Sequence, residues 1–256
     1  MTAPPVVVLH GFAGHADSWN AVRAALPERS IEALTLFGHD EHAPPPGPVA
    51  FDDEVARVAR LIRALGRPVR LCGYSMGGRL ALGVLAQAPE LVSSAILVGA
   101  HPGLTTDAER EQRAVADQVW VRVLEDEGTA TFAEKWQAQP LFATQERLPP
   151  AVLAAQRAVR LRHHGPSLAL AMVSLGLARM PSYWEVLGRL EIPVDLVVGA
   201  LDEKFAALAL RMNERLGADR GRVLRVRDAG HNVLLERPEV LAGVIAGVLP
   251  PDVAVV

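Results

Sequence analysis

The chain has 256 residues, is 50% hydrophobic and 21% charged, and carries a formal net charge of −3 at pH 7. This length and composition predict one globular domain with a large core, and they exclude a disordered or fibrous chain. The small net charge excludes a long-range attraction to nucleic acid or to an anionic membrane, so neither is an expected partner.

The N-terminal segment lacks the basic start and the long apolar stretch of a secretory signal. No apolar run reaches the roughly 20 residues that a membrane span needs, so we expect a cytoplasmic protein. The single cysteine, Cys72, cannot form an internal disulfide, and its apolar surroundings favour a small buried residue over a reactive thiol. The sequence leaves the oligomeric state open.

Short apolar runs bounded by glycine or proline alternate with helical patterns along the chain. This alternation indicates a mostly parallel sheet flanked by helices, and the predicted fold class is α/β. In chain order, the predicted strands are 6–9, 31–36, 69–72, 95–98, 194–198 and 223–226.

The clearest helix lies between the second and third strands. Val55, Val58, Leu61, Ile62 and Leu65 share one face, which predicts that all five are buried. The predicted start and end of this helix are Asp52, as the N-cap, and Gly66. Further helices are predicted at 77–88, 205–216 and 238–248.

The alternation breaks between about residues 101 and 191, where the pattern is helical throughout. We therefore predict a single domain over residues 1–256, with a helical lid inserted at approximately 101–191. Because this insertion lies between two strands, it would cover the strand ends where open α/β sheets bind ligands. The alternative is a peripheral helical layer without a function.

A candidate nucleophile lies in the stretch Gly73-Tyr74-Ser75-Met76-Gly77, directly after a strand and directly before a helix. A sharp strand-to-helix turn brings neighbouring backbone close to the serine, and the two glycines leave room for that approach. The motif therefore predicts that Ser75 is an exposed nucleophile near a helix N-terminus, where developing negative charge is stabilised.

A serine hydroxyl needs a base to take its proton and an acid to orient that base. His231 follows the last predicted strand and precedes the final helix, which makes it the predicted base. Asp202 follows the preceding strand and is the predicted acid, with Glu203 as its rival. The order serine, acid, histidine is the one expected for an α/β-hydrolase fold.

The predicted oxyanion hole consists of the backbone amides of Met76, which follows the nucleophile, and Phe12, in the loop after the first strand. His10, in that loop, is predicted to be a hydrogen-bonded structural residue. The remaining histidines lack metal-ligand spacing, so no metal site is expected. They are predicted to be loop or surface residues: His15, His39, His42, His101, His163 and His164.

Six stretches together resemble one group of α/β-hydrolases: HGFAGHADSW, GYSMGGR, HPGL, KWQAQPLF, VVGALDEKF and AGHNVLLERP. The group is that of the 2-succinyl-6-hydroxy-2,4-cyclohexadiene-1-carboxylate synthases, menaquinone-pathway lyases that eliminate pyruvate from their substrate. The resemblance implies a small-molecule polycarboxylate substrate and no cofactor. By this resemblance, an alkoxide of Ser75, formed by proton transfer to His231, acts as the general base.

The resemblance also implies a set of substrate-binding residues: Tyr74, Arg79, Arg113, Trp136 and Arg157. A protein of small negative net charge needs discrete arginines to hold several carboxylates, because the guanidinium fork binds a carboxylate bidentately. Arg79 stands one helical turn after Ser75 and therefore on the same face of the helix.

Other functions stay open at this point. The sequence does not exclude a C–C bond hydrolase or a haloperoxidase of the same fold, and the predicted set of arginines is the argument against both. A carboxylester or thioester hydrolase would use the same three residues through an acyl-Ser75 intermediate. A binding module on an inactive hydrolase scaffold is the non-enzymatic alternative, but it predicts that a member of the triad is missing, and none is missing.

Overall fold

The computed structural model describes residues 4–41 and 47–256, and these contain one seven-stranded sheet in the order β2-β1-β3-β4-β5-β6-β7. Strands β1 to β6 pair in parallel, and β7 pairs antiparallel to β6 at the edge. The strands are β1 (Val6–Leu9), β2 (Ile31–Leu34), β3 (Val69–Tyr74), β4 (Val92–Val98), β5 (Val194–Gly199), β6 (Gly221–Val226) and β7 (Val253–Val255).

Helices cover both faces of this sheet. Those outside the insertion are α1 (Asn20–Ala24), α2 (Phe51–Arg63), α3 (Met76–Gln87), α9 (Glu203–Leu216), α10 (Val233–Glu236) and α11 (Pro238–Ala246). Apolar residues of α2, α3 and α9 form the core on one face, and those of α1, α10 and α11 form the core on the other. Burial on both faces explains why the central strands are almost continuously apolar.

The insertion between β4 and β5 is helical, as predicted. It contains α4 (Asp107–Arg122), a π-helical turn (Val123–Glu127), α5 (Gly128–Gln137), a 3-10 segment (Pro140–Arg147), α6 (Pro150–Arg162), α7 (Gly165–Leu175) and α8 (Trp184–Leu187). Phe132, Leu168 and Met172 belong to a small separate core, which also includes Ala13 from the loop after β1. The insertion is therefore packed directly against that loop.

All six predicted strands are present, and each predicted helix lies within a few residues of its predicted bounds. Two details of α2 are wrong. Its N-cap is Ala50, and Asp52 instead accepts a hydrogen bond from Gln87. Leu61 and Leu65 are 41% and 40% exposed. The face of α2 that is buried against the sheet is therefore narrower than the apolar face that the sequence indicates. Within residues 4–41 and 47–256, no helix is long and apolar enough to cross a membrane.

Candidate active site

Ser75 stands on a sharp turn between β3 and α3. Its backbone has a φ of +50°, a conformation that non-glycine residues rarely adopt and that structures retain at functional sites. A Cβ on Gly73 would lie 2.4 Å from the Gly77 carbonyl oxygen, and one on Gly77 would lie 2.3 Å from that of Leu9. Both glycines are therefore required by the close approach of backbone, as the motif predicts.

The structure brings Ser75, His231 and Asp202 together. The Nε2 atom of His231 lies 3.2 Å from the Ser75 hydroxyl oxygen, and its Nδ1 atom lies 2.8 Å from Oδ2 of Asp202. The other oxygen of that carboxylate accepts the Phe205 amide at 3.2 Å, which fixes its orientation. The rival acid Glu203 is exposed. One proton can therefore pass between serine and imidazole while the carboxylate holds the ring.

Ser75, Asp202 and His231 reach this arrangement because they follow β3, β5 and β6 at the carboxyl edge of the sheet. His231 and Asp202 are buried, with 3% and 8% exposure, and the Phe205 ring packs 4.4 Å from the imidazole. Parallel strands carry the ends of successive segments to one edge, so residues far apart in sequence converge there.

The two amides predicted for the oxyanion hole lie on elements next to Ser75. Met76 is the first residue of α3, so its amide is among the first four of the helix, which have no intrahelical acceptor. Phe12 belongs to the loop after β1, and no described residue accepts a backbone hydrogen bond from its amide. The following residue, Ala13, has a φ of +56°, and its amide donates to Nε2 of His39 at 3.1 Å.

The five described histidines that were predicted to be loop or surface residues all lie in loops, and two of them are buried. His10 is confirmed as a buried, hydrogen-bonded residue, since its Nε2 accepts the Leu36 amide at 3.1 Å. His39 and His163 are not surface residues: they are 0% and 4% exposed, and their rings meet edge to face at 5.5 Å. A neutral imidazole packs like an aromatic ring, and burial lowers the pKa of His163 to about 4.

Among the other histidines, His15 caps a short helix and His164 contacts the Ser167 hydroxyl. His101 lies in the loop after β4, is half-buried and lines the pocket above Ser75. His42 lies outside the described residues.

A pocket of about 420 Å³ opens above Ser75 and His231. Four of the five predicted substrate-binding residues line it: Tyr74, Arg79, Arg113 and Trp136. The structure thus joins residues of the sheet edge with residues of the inserted helices around one cavity.

The two arginines of this pocket are held differently. Arg79 is buried and donates to the Leu175 carbonyl oxygen at 2.7 Å, and burial lowers its pKa to about 9. Arg113 pairs with Asp117 at 2.7 Å and is partly exposed to the pocket. Arg79 has no carboxylate partner of its own among the described residues, so a bound anion would supply one.

Arg157 does not line this pocket, and its prediction as a substrate-binding residue is not supported by its position. Its side chain is exposed on α6 and pairs with Glu134 at 3.1 Å. Arg160, on the same helix, is 5% exposed, donates to Gln137 and lies over the Phe142 ring. Nothing in the sequence separates the two arginines, because only the packing of α6 shows which of them points inward.

Arg160 lines a second cavity of about 670 Å³ beside the first. The two cavities share Phe12, Tyr74 and Phe142 as walls. Burial lowers the pKa of Arg160 to about 10, so the guanidinium remains charged at neutral pH. A substrate that fills the first cavity and passes these aromatic walls would meet this cation.

Comparison with protein families matches residues 4–238 to a family described as having the alpha/beta hydrolase fold. Two curated relatives are named 2-succinyl-6-hydroxy-2,4-cyclohexadiene-1-carboxylate synthase. The one from Enterobacter sp. (strain 638) is 31% identical over 96% of this chain and 92% of its own length. The one from Salmonella schwarzengrund (strain CVM19633) is 32% identical over 95% and 91%.

Solved structures are similar over the same extent. MenH from S. aureus has a TM-score of 0.90 and 25% identity over 96% of this chain and 94% of that chain. A thermophilic esterase from Thermogutta terrifontis, solved with malate bound, has a TM-score of 0.79 and 25% identity over 96% and 89%.

Proposed function

We propose a specific reaction for this chain, which belongs to the alpha/beta hydrolase family and, within it, to the 2-succinyl-6-hydroxy-2,4-cyclohexadiene-1-carboxylate synthases of menaquinone biosynthesis. The protein is an enzyme of that fold. The proposed reaction eliminates pyruvate from 2-succinyl-5-enolpyruvyl-6-hydroxy-3-cyclohexene-1-carboxylate. Its second product is 2-succinyl-6-hydroxy-2,4-cyclohexadiene-1-carboxylate.

The observation that carries this proposal is the pairing of the Ser75–His231 hydrogen bond with arginines around one pocket. The proposed substrate has three carboxylates, and each needs a cation or several donors once it leaves water. Arg79 and Arg113 face the pocket, and Arg160 lies behind its aromatic wall. An ordinary ester substrate has no use for such a set of cations.

In the proposed mechanism, Ser75 gives its proton to Nε2 of His231, and Asp202 stabilises the imidazolium that forms. The resulting alkoxide removes a proton from the substrate ring. The electron pair of that C–H bond forms the new ring double bond, the C–O bond to the enolpyruvyl group breaks, and pyruvate leaves as its enolate. Protonation of the enolate gives pyruvate, so no acyl-enzyme forms.

The elimination builds negative charge on the substrate, and the amides of Met76 and Phe12 are proposed to stabilise it. The first amide lies at the N-terminus of α3, where the helix dipole also favours an anion. The inserted helices are proposed to act as the lid of the site, with Trp136 and Arg113 as their substrate contacts. Arg160 takes the place that the sequence had suggested for Arg157.

The test is a pyruvate-release assay on the purified protein, with hydrolysis of short p-nitrophenyl esters measured in parallel. We expect rapid pyruvate release and slow ester turnover without a burst. Arg79→Ala is expected to lower kcat/KM for pyruvate release on the order of 100-fold, since a desolvated carboxylate loses its partner in the transition state.

Arg79→Lys serves as the matched variant, because it keeps the charge but loses the bidentate fork. We expect it to lie between wild type and Arg79→Ala. Unchanged pyruvate release in Arg79→Ala would overturn the proposed role of Arg79, and a wild-type protein that releases no pyruvate would overturn the proposed substrate. Fast ester hydrolysis with a burst, and no pyruvate release, would favour the carboxylester or thioester hydrolase instead.

A further inference from the structure

His101 lies three residues beyond the carboxyl end of β4, which pairs with β3, the strand that precedes Ser75. The chain turns there at Gly99, whose φ is +54° and whose missing side chain leaves room for the His231 ring. This turn places His101 in the lining of the pocket that also contains Ser75 and Arg79. The mechanism proposed above gives His101 no role.

The hydrogen bond to His101 fixes its tautomer. The Gly103 amide donates to its Nδ1 atom at 3.0 Å, so Nδ1 carries a lone pair and the proton of the neutral ring is on Nε2. Burial lowers the pKa of His101 to about 4. The charges of Arg79, Lys204 and Arg113 lower it further, and only that of Glu109 opposes them. The ring is therefore neutral across the physiological range.

Within residues 4–41 and 47–256 the side chain of His101 makes one hydrogen bond, the one that Nδ1 accepts from Gly103, and Nε2–H makes none. The charged residues that share the pocket with it are Arg79, Arg113 and Lys204, and their side chains have only donors. The uncharged polar residues Ser75, Tyr74 and Gln139 also line the pocket, but none of them is hydrogen-bonded to His101, so an oxygen that a ligand or water brings into the pocket would satisfy the Nε2–H group. A neutral N–H suits an uncharged oxygen, whereas the arginines suit carboxylates.

We propose that His101 is a substrate-binding residue that donates its Nε2–H to a ketone or hydroxyl oxygen of the substrate. This inference rests on the proposed function, which supplies a substrate with both kinds of oxygen beside its carboxylates. His101 would fix how the substrate ring is oriented above Ser75, while the arginines hold the ends of the molecule. The loop bond from Gly103 preorganises the donor, so the ring stays in place when the substrate arrives.

Two substitutions separate the donor from the loop bond. His101→Asn keeps an acceptor near the Nδ1 position for the Gly103 amide but removes the donor at Nε2. His101→Gln places an amide N–H near the Nε2 position but loses the acceptor for Gly103. We expect His101→Asn to lower kcat/KM for pyruvate release about 10- to 100-fold, mainly through KM, as for a site that loses one buried hydrogen bond to its ligand.

His101→Gln is expected to keep a kcat/KM at least several-fold higher than that of His101→Asn. Equal losses, or a larger loss in His101→Gln, would overturn the inference, because they would show that the residue matters only for the loop. Thermal unfolding of both variants identifies any general loss of folding.

A separate measurement does not depend on the reaction. In the wild-type protein labelled with ¹⁵N-histidine, NMR reports which ring nitrogen of His101 carries the proton. The Nε2–H tautomer at pH 7 supports the inference, and the Nδ1–H tautomer or a charged ring overturns it. A wild-type protein that releases no pyruvate would refute the proposed function, and the tautomer would still decide whether His101 presents a donor to the pocket.

Discussion

The sheet edge and the inserted helices contribute to one site in different ways. Ser75, Asp202 and His231 follow strands of the same sheet, and their mutual distances depend on strand pairing that is buried on both faces. The inserted helices contact the body partly through rings: Phe12 meets Trp136 at 5.2 Å, and His39 meets His163 at 5.5 Å. The Arg79 hydrogen bond to the Leu175 carbonyl oxygen also joins the two regions. We therefore expect proton transfer to depend on the buried sheet edge, and substrate binding on the inserted helices, which pack around a separate core.

This difference explains how one fold serves both esterases and the proposed lyase. The three residues at the sheet edge can activate a serine for attack or for proton abstraction, and nothing in their geometry selects between the two. The selection comes from what the helices and the start of α3 place around the serine. Here those groups are Arg79, Arg113 and Trp136.

The largest expected effect comes from the sheet edge. Ser75→Ala removes the alkoxide, and we expect pyruvate release to fall by at least about 10⁴-fold while substrate still binds. Single-turnover pyruvate release and substrate binding, measured on the same preparation, check this. Retention of more than about 1% of the activity would show that another group is the base, and the sheet edge would lose its assigned role.

A smaller loss is expected when only the orientation of the base changes. Asp202→Asn keeps an oxygen for the Phe205 amide but turns an N–H₂ group toward Nδ1 of His231, which favours the wrong tautomer. We expect kcat to fall about 10³-fold. Asp195→Asn is the matched control, because Asp195 lies on the same strand β5 and pairs with Arg222 at the surface. It is expected to leave kcat within about twofold.

The sequence predicted the sheet edge well because its signals are local. Buried parallel strands appear in the sequence as apolar runs. The glycines on either side of Ser75 are recognisable because a side chain at either position would collide with neighbouring backbone. The edge strand β7 was not predicted, since three residues at the end of the chain show no usable period. β7 forms because it pairs with β6, a segment that lies far from it in the sequence.

The inserted helices were predicted as helices, but the direction of individual side chains was not. Arg157 and Arg160 are three residues apart on α6. The Arg157 side chain is exposed and pairs with Glu134, whereas the Arg160 side chain is buried and donates to Gln137. His39 and His163 were predicted to be loop or surface residues, and both lie in loops, but the sequence did not indicate that they are buried. Their burial depends on each other and on the contact between the two regions, which no single segment of sequence encodes.

That contact predicts a dependence of stability on pH. The pKa of His163 is about 4 in the folded protein and near 6.5 in an unfolded chain. As the pH falls from 6.5 to 4, the unfolded state takes up a proton that the folded state excludes, so stability falls by on the order of 2 kcal/mol from this residue. Among the described residues, neither ring nitrogen of His163 makes a hydrogen bond of good geometry, although the backbone of Ala13 and His39 lies near the ring. His163→Leu therefore removes this penalty and loses at most weak polar contacts.

The measurement is urea unfolding of wild type and His163→Leu at several values between pH 7.5 and 4. We expect the variant to be at least as stable as wild type at pH 7.5 and to lose less stability toward pH 4. His10, with a pKa of about 3, remains in both proteins, so a residual dependence persists. If the free energy of unfolding depended on pH equally in the two proteins, His163 would be protonated in the folded state. The contact between the two regions would then not exclude water from its ring.

The finest distinction concerns two arginines on α6. Arg160→Ala is expected to lower kcat/KM for pyruvate release about 10- to 30-fold, because a buried cation beside the aromatic wall is lost. Arg157→Ala removes only an exposed pair with Glu134 and is expected to stay within about twofold of wild type. Steady-state kinetics on both variants decide between them. A larger loss in Arg157→Ala than in Arg160→Ala would contradict this prediction. Residues three apart on a helix point about 60° apart, so α6 would then have to rotate by about that angle when substrate binds. The inserted helices would in that case move during the reaction.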